Sequence, residues 1–231
     1  MIRPISTAVL VAAVLVLGAC NVPRDSDGTL DRVRHGVLRV GVVSAPPWAM
    51  DSGGAVAGIE PSLVQALARE LGSQVAWVRR PEAELMTALH DRQLDLVVGG
   101  LTGDMPWKKE VALTRAYYTD TLVIGIPPGT VMREVRGQTI AIEDGDPVAA
   151  ELKKRNGEPV VVADFARAPG ALAAPVWRLA ALGRANSGIV LQRQSHVVAV
   201  APGENAWMVR LERFLHERQK EIPRMLREVA R

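Results

Sequence analysis

The stretch "DLVVGGLTGDMPWKKE", Asp95 to Glu110, passes from an aliphatic run through two glycines and a threonine to a tryptophan and a charged tail. The aliphatic run reads as a buried strand and the tail as a charged helix, so Gly99, Gly100, Leu101 and Thr102 fall just past the carboxyl end of a strand. Open α/β sheets bind ligands at that end, because loops and helix N-termini there present unpaired N–H groups. Glycines let a ligand approach the backbone, and a threonine hydroxyl both donates and accepts. Paired glycines also serve simply to turn a chain, and spacing alone leaves both readings open.

Working outward, the pattern alternates. "LRVGVV" is a short strand followed by the turn Ser44-Ala45-Pro46-Pro47 and Trp48; Ile59, Leu63, Val64, Leu67, Ala68 and Leu71 recur at helical spacing, with Pro61 suited to a first turn. Gln74 to Arg79 reads as a strand, and Pro81 opens a helix carrying Leu85, Met86 and Leu89. Downstream, Thr119 to Ile126 is a strand stopped by Pro127-Pro128-Gly129, after which alternation restarts with "QTIAIEDG", a helix over Pro147 to Arg155, and "PVVVADF". Such alternation predicts right-handed crossovers and a mostly parallel sheet in each of two α/β lobes. "ALAAPVWRLAALG" reads either way, since Leu172, Val176 and Leu179 have helical spacing while Pro175 interrupts a helix interior. "HVVAVAP" is a strand, and the end is helical: Trp207, Leu211, Phe214 and Leu215 share a face, and Pro223 precedes a last short helix with Met225, Leu226 and Val229.

Composition bounds the function. The 231 residues are 48% hydrophobic and 23% charged, which reads as globular and near the size at which one domain becomes two lobes. Basic residues are 23 Arg against 5 Lys, dispersed, with no basic stripe interleaved with aromatics, so no nucleic-acid partner is expected. His35, His90, His196 and His216 lack metal-ligand spacing and read as surface or satisfied histidines; no metal, cofactor or catalytic residue is expected.

The first twenty residues differ in kind. Met1-Ile2-Arg3 is a basic head, Ala8 to Leu17 is almost purely aliphatic and too short for an anchoring span, and Leu17-Gly18-Ala19-Cys20 follows. This resembles a bacterial lipoprotein signal over residues 1–19, with Cys20 the acylated residue, tethering the chain at the membrane in the periplasm or at the cell surface. Cys20 is the only cysteine, so no disulfide forms within the chain. Removing Arg3 takes the net charge from +3 to +2. Residues 20–36, polar and without apolar periodicity, read as a flexible tether.

Taken together, "LRVGVV…PPW", "GIEPSLVQALARELG", "LDLVVGGLT", "WKKEVALTRAYY" and the final helix resemble the extracellular solute-binding proteins of family 3, the receptors of polar amino-acid ABC importers. The likeness is good over 37–126 and looser beyond. It implies a periplasmic-binding-protein type II fold: a discontinuous first lobe (37–125 and 197–231), a second lobe (126–196) inserted between two hinge strands, and a ligand cleft between them. It also implies a monomer that carries a small molecule to an ABC permease.

The chain departs from the family where family members hold an amino acid. Their carboxylate-clamping arginine sits five residues after the threonine, where this chain has Trp107; neither Lys108 nor Arg115 is a geometric equivalent. Where members place Gly-Thr before a helix, this chain has Gly145-Asp146-Pro147, losing a donor and adding a negative charge. The acidic residue for the ligand ammonium falls at about Trp177 or Arg178. What remains is Trp48 and Trp107 with the acidic turn Glu143, Asp144 and Asp146, suited to an organic cation or a flat, weakly polar molecule, or else packed and solvated. Tyr117 and Tyr118 pack or lead into the hinge. The resemblance also covers a degenerate module serving a sensor or periplasmic enzyme, and cyclohexadienyl dehydratases, whose need for a carboxylate clamp Trp107 argues against.

Overall fold

The computed structural model describes residues 24–230; the signal sequence expected over residues 1–19 and the acylation expected at Cys20 lie outside them. The chain forms α1 (Thr29–Val33), β1 (Val37–Val42), β2 (Met50–Ser52), β3 (Ala55–Ala57), α2 (Ile59–Leu71), β4 (Gln74–Arg79), α3 (Glu82–His90), β5 (Leu96–Val98), β6 (Ala112–Leu113) and β7 (Tyr118–Ile126). There follow β8 (Thr139–Ile142), α4 (Val148–Lys154), β9 (Glu158–Val161), β10 (Ala171–Pro175), β11 (Ala185–His196), β12 (Ala199–Val200), α5 (Asn205–Arg218) and α6 (Ile222–Val229).

The strands make two separate five-stranded sheets, ordered β4-β1-β5-β12-β6 and β11-β7-β10-β8-β9. Both are mixed, not mostly parallel: β12 runs antiparallel to β5 and β6, and β7 runs antiparallel to β10 and β11. The antiparallel members are those that carry the chain between lobes, a geometry that local alternation does not encode. β7 pairs along its whole length with β11, so by hydrogen bonding it belongs to the second sheet from Tyr118; a lobe division at 125/126 cuts at its far end, where Pro127 stops the strand. The two-way stretch resolves into β10 and a 3-10 turn, Val176–Arg178, because the Pro175 ring sits at a strand end where no helical N–H is needed.

The tether expectation for 20–36 fails from Arg24 onward. The Asp25 carboxylate accepts from the Leu30 and Trp207 amides, and buried Glu204 accepts from the Asp27 and Thr29 amides, so this segment and the start of α5 satisfy each other's helix-end donors. Arg32 of α1 and Arg39 of β1 converge on the buried Asp95 carboxylate. A polar, aperiodic segment is thus ordered by charge pairing and capping, neither of which shows as periodicity.

Candidate functional site

The chain passes between the lobes twice, at Tyr118 and at His196, which lie opposite each other in the β7–β11 ladder. In front of this pair of strands a cleft of about 620 Å³ opens, of the size that ligand sites commonly have. The first lobe contributes Pro46, Pro47 and Trp48 from the loop after β1, and Val229 and Ala230 from the end of α6. The ladder register Asp120↔Gln194 and Leu122↔Gln192 puts these four side chains on the face that lines the cleft. The second lobe adds Glu143, Asp146 and Pro147 from the β8–α4 turn, and Pro175, Trp177 and Arg178 around the 3-10 turn.

Each polar lining group has a defined state. Asp120 is 8% exposed and accepts from the Trp177 indole N–H at 3.1 Å and the Thr121 amide at 2.8 Å. Burial raises its pKa above the ordinary aspartate value, and those two hydrogen bonds only partly offset this. Arg178 is held in a bidentate pair by Glu143, at 2.8 and 3.1 Å, and lies 5.5 Å over the Phe165 ring. Asp146 caps α4 by accepting from the Val148 amide at 2.9 Å. Three carboxylates therefore face one guanidinium, itself already paired.

The wall of the first lobe is built differently. Ala45 and Ala49 exchange backbone hydrogen bonds at 2.8 and 3.0 Å, closing the loop that presents Trp48. The Trp48 ring lies 3.8 Å from the His196 ring at 33° and 6.3 Å edge-on from Tyr117. Gly100, at φ +67°, permits this: a Cβ there meets the indole at 2.8 Å. The Gly99 and Gly100 amides donate to fully buried Glu60 at 2.5 and 2.9 Å, and the Tyr117 hydroxyl donates to the same carboxylate. Burial raises the Glu60 pKa and raises the Tyr117 pKa well above the phenol range.

These facts place the sequence-derived candidates. Trp48, Asp146 and Arg178 come together at the cleft. Gly100 supports Trp48 from behind, its N–H already taken by Glu60 and not offered to a ligand. Leu101 is buried in the core beneath the first sheet, and the Thr102 hydroxyl is turned to Asp104 at 2.6 Å. Trp107 does not reach the cleft: its ring packs on the same core as Leu101 and its indole N–H donates to Glu82 at 3.1 Å, while the residues after it form turns instead of the expected helix. Asp144 is exposed and outside the lining. His196 is neither a surface nor a satisfied histidine. It is 2% exposed with both ring nitrogens unpartnered, and burial pushes its pKa down to about 4, the Gly100 backbone opposing the shift from outside hydrogen-bonding geometry. Asp120, Gln192 and Gln194 line the cleft without having been singled out in the sequence, and Trp177 had been noted only as an approximate alignment position. The only signal for the first three was alternation along β7 and β11, which marks every second residue but not which face meets a gap.

Two α/β lobes, two connecting strands and a cleft between them define a type II periplasmic-binding-protein fold. The chain belongs to the bacterial extracellular solute-binding proteins, family 3, whose model matches residues 38–222. That fold is typical of ABC importer receptors, and among the described residues no helix is long and apolar enough to cross a membrane. The chain is 26% identical over 102 residues to the arginine-binding extracellular protein ArtP of Bacillus subtilis (strain 168), a match that spans 43% of this chain and only 40% of ArtP. Among solved structures it is similar to an ancestral cationic amino acid solute-binding protein, AncCDT-1, with TM-score 0.65 and 20% identity over 87% of this chain and 98% of that one. It is also similar to the unliganded, open L-cystine solute receptor of Neisseria gonorrhoeae, with TM-score 0.65 and 14% identity over 83% and 91% of the two chains. At these identities the structures speak for the fold alone.

Proposed function

We propose that this chain is a lipid-anchored extracytoplasmic receptor that binds a small molecule between its lobes and delivers it to an ABC importer, without catalysing a reaction. The observation that carries this reading is the cleft itself, open to solvent, with polar side chains set on the connecting strands and the second lobe. Affinity comes from burial and a few placed polar contacts on closure about β7 and β11, and the closed form is what a permease recognises. The ligand is not an amino acid gripped by an arginine clamp on the first lobe, because Trp107 occupies that sequence position and faces Glu82 instead. Cys20 carries the lipid once residues 1–19 are removed, and the receptor works as a monomer in the periplasm or at the cell surface.

The test is a thermal-shift screen against a metabolite library, joined to native mass spectrometry of the protein as purified. A compound that raises the melting temperature, is recovered unchanged, and loses its effect when Leu122→Trp fills the cleft supports the reading. Turnover of the compound, or no compound at all, sinks it.

A further inference from the structure

Resting on that reading and taking it further, we infer that the cleft takes an organic cation that carries no carboxylate, its positive charge set against Asp120 with the Trp48 and Trp177 side chains in the walls. Among the described residues the first lobe brings no cationic side chain into the cleft lining, which it forms with Pro46, Pro47, Trp48, Val229 and Ala230. The one guanidinium among the described lining residues, Arg178, is already charge-paired with Glu143 through both terminal nitrogens, so a ligand carboxylate bonding its remaining N–H groups gains less there than at an unpaired cation and meets the Glu143 charge beside it. Asp120 is the converse case. It is buried, both its hydrogen-bond partners are neutral donors, and a carboxylate bonded to two donors keeps acceptor positions for more. A buried carboxylate without a countercharge is costly, and a cation entering beside it repays that cost. Proline and indole surfaces around it suit an alkylated or extended ammonium or amidinium better than a compact hydrated ion.

Matched pairs that differ by a carboxylate test the inference: agmatine against L-arginine, and choline against glycine betaine, each titrated calorimetrically into the purified protein. The decarboxylated or carboxylate-free member of at least one pair is expected to bind on the order of tenfold or more tightly than its partner. Asp120→Asn, which keeps one of the two acceptors that the Trp177 indole and the Thr121 amide use, is expected to weaken that binding by roughly tenfold to a hundredfold, with circular dichroism of the free variant checking that it is folded. Glu143→Gln, at an exposed position, releases Arg178 and is expected to narrow the gap within a pair. Equal or tighter binding of the carboxylate-bearing members overturns the inference, as does indifference of cation binding to Asp120→Asn. If a neutral or anionic metabolite from the screen binds in a Leu122-sensitive way and neither pair does, the cation inference falls while the receptor reading stands; if nothing binds, both fall.

Discussion

The two walls of the cleft are made on opposite plans. The described part of the first-lobe wall is apolar, and the donors of Gly99, Gly100 and Tyr117 behind it are spent internally, all ending on Glu60. Among the described residues, the charged side chains that line the gap, Asp120, Glu143, Asp146 and Arg178, all belong to the wall formed by the connecting strands and the second lobe. One wall therefore sets shape and the other sets charge, so changes on the first lobe are expected to register as stability and changes on the second as selectivity.

The largest effect that can break this division is at Trp48. Truncation to alanine removes a buried indole stacked on His196, and a loss of about 4 kcal/mol is expected in denaturant unfolding, with ligand affinity lost alongside. A loss below about 1 kcal/mol shows that the indole is not a structural keystone of its wall. Glu60→Ala comes next: it orphans two amides and a hydroxyl in a buried site, and the expected loss is about 3 kcal/mol, whereas Glu60→Gln, which keeps an acceptor, is expected to lose less.

Acid acts on both walls, through groups of opposite sign. The folded pKa of His196, about 4, lies below the unfolded value, so its neutral form contributes stability that is present above about pH 6.5 and lost as pH falls toward 4. Glu60 and Asp120, with raised pKa values, act in the opposite direction, each favouring the fold as acid protonates it. His196→Phe is expected to flatten the decline in unfolding free energy between about pH 7 and 4.5 by about 2 kcal/mol relative to the parent. An unchanged pH profile shows that His196 is not the group responsible. The smallest effect sharpens the same contrast: Trp107→Arg restores the family's residue type, yet its position beside Glu82 predicts less than a roughly twofold change in L-arginine affinity by calorimetry.

The alternating elements were legible because each buries a periodic face: α2 places Ile59, Leu63, Val64, Leu67 and Leu71 inward, as their spacing requires. Of the first lobe's cleft lining only Trp48 was singled out in the sequence as a ligand contact; the Gly99–Thr102 bend and Trp107, expected at the cleft, have other partners. What the sequence hid depends on long-range partners. Glu60 lies 39 and 40 residues from the glycines it satisfies, so nothing local says that the Gly-Gly turn has no donor to spare. Asp120 becomes a cleft residue through its register with Gln194, and Trp107 is held away from the cleft by its packing on the core around Leu101 and its N–H bond to Glu82.

The docking of Arg24 to Gly36 against the start of α5 has a mechanical consequence. With Cys20 acylated as proposed, the linker between lipid and folded body is the four residues 20–23, whose contour is at most about 14 Å. A separation bounded by that chain length would keep the body close to the bilayer. On the proposal that Cys20 is acylated, the α1 and α5 end of the first lobe would face the headgroups, and the receptor would meet a permease by lateral diffusion and swivelling in the plane of the membrane.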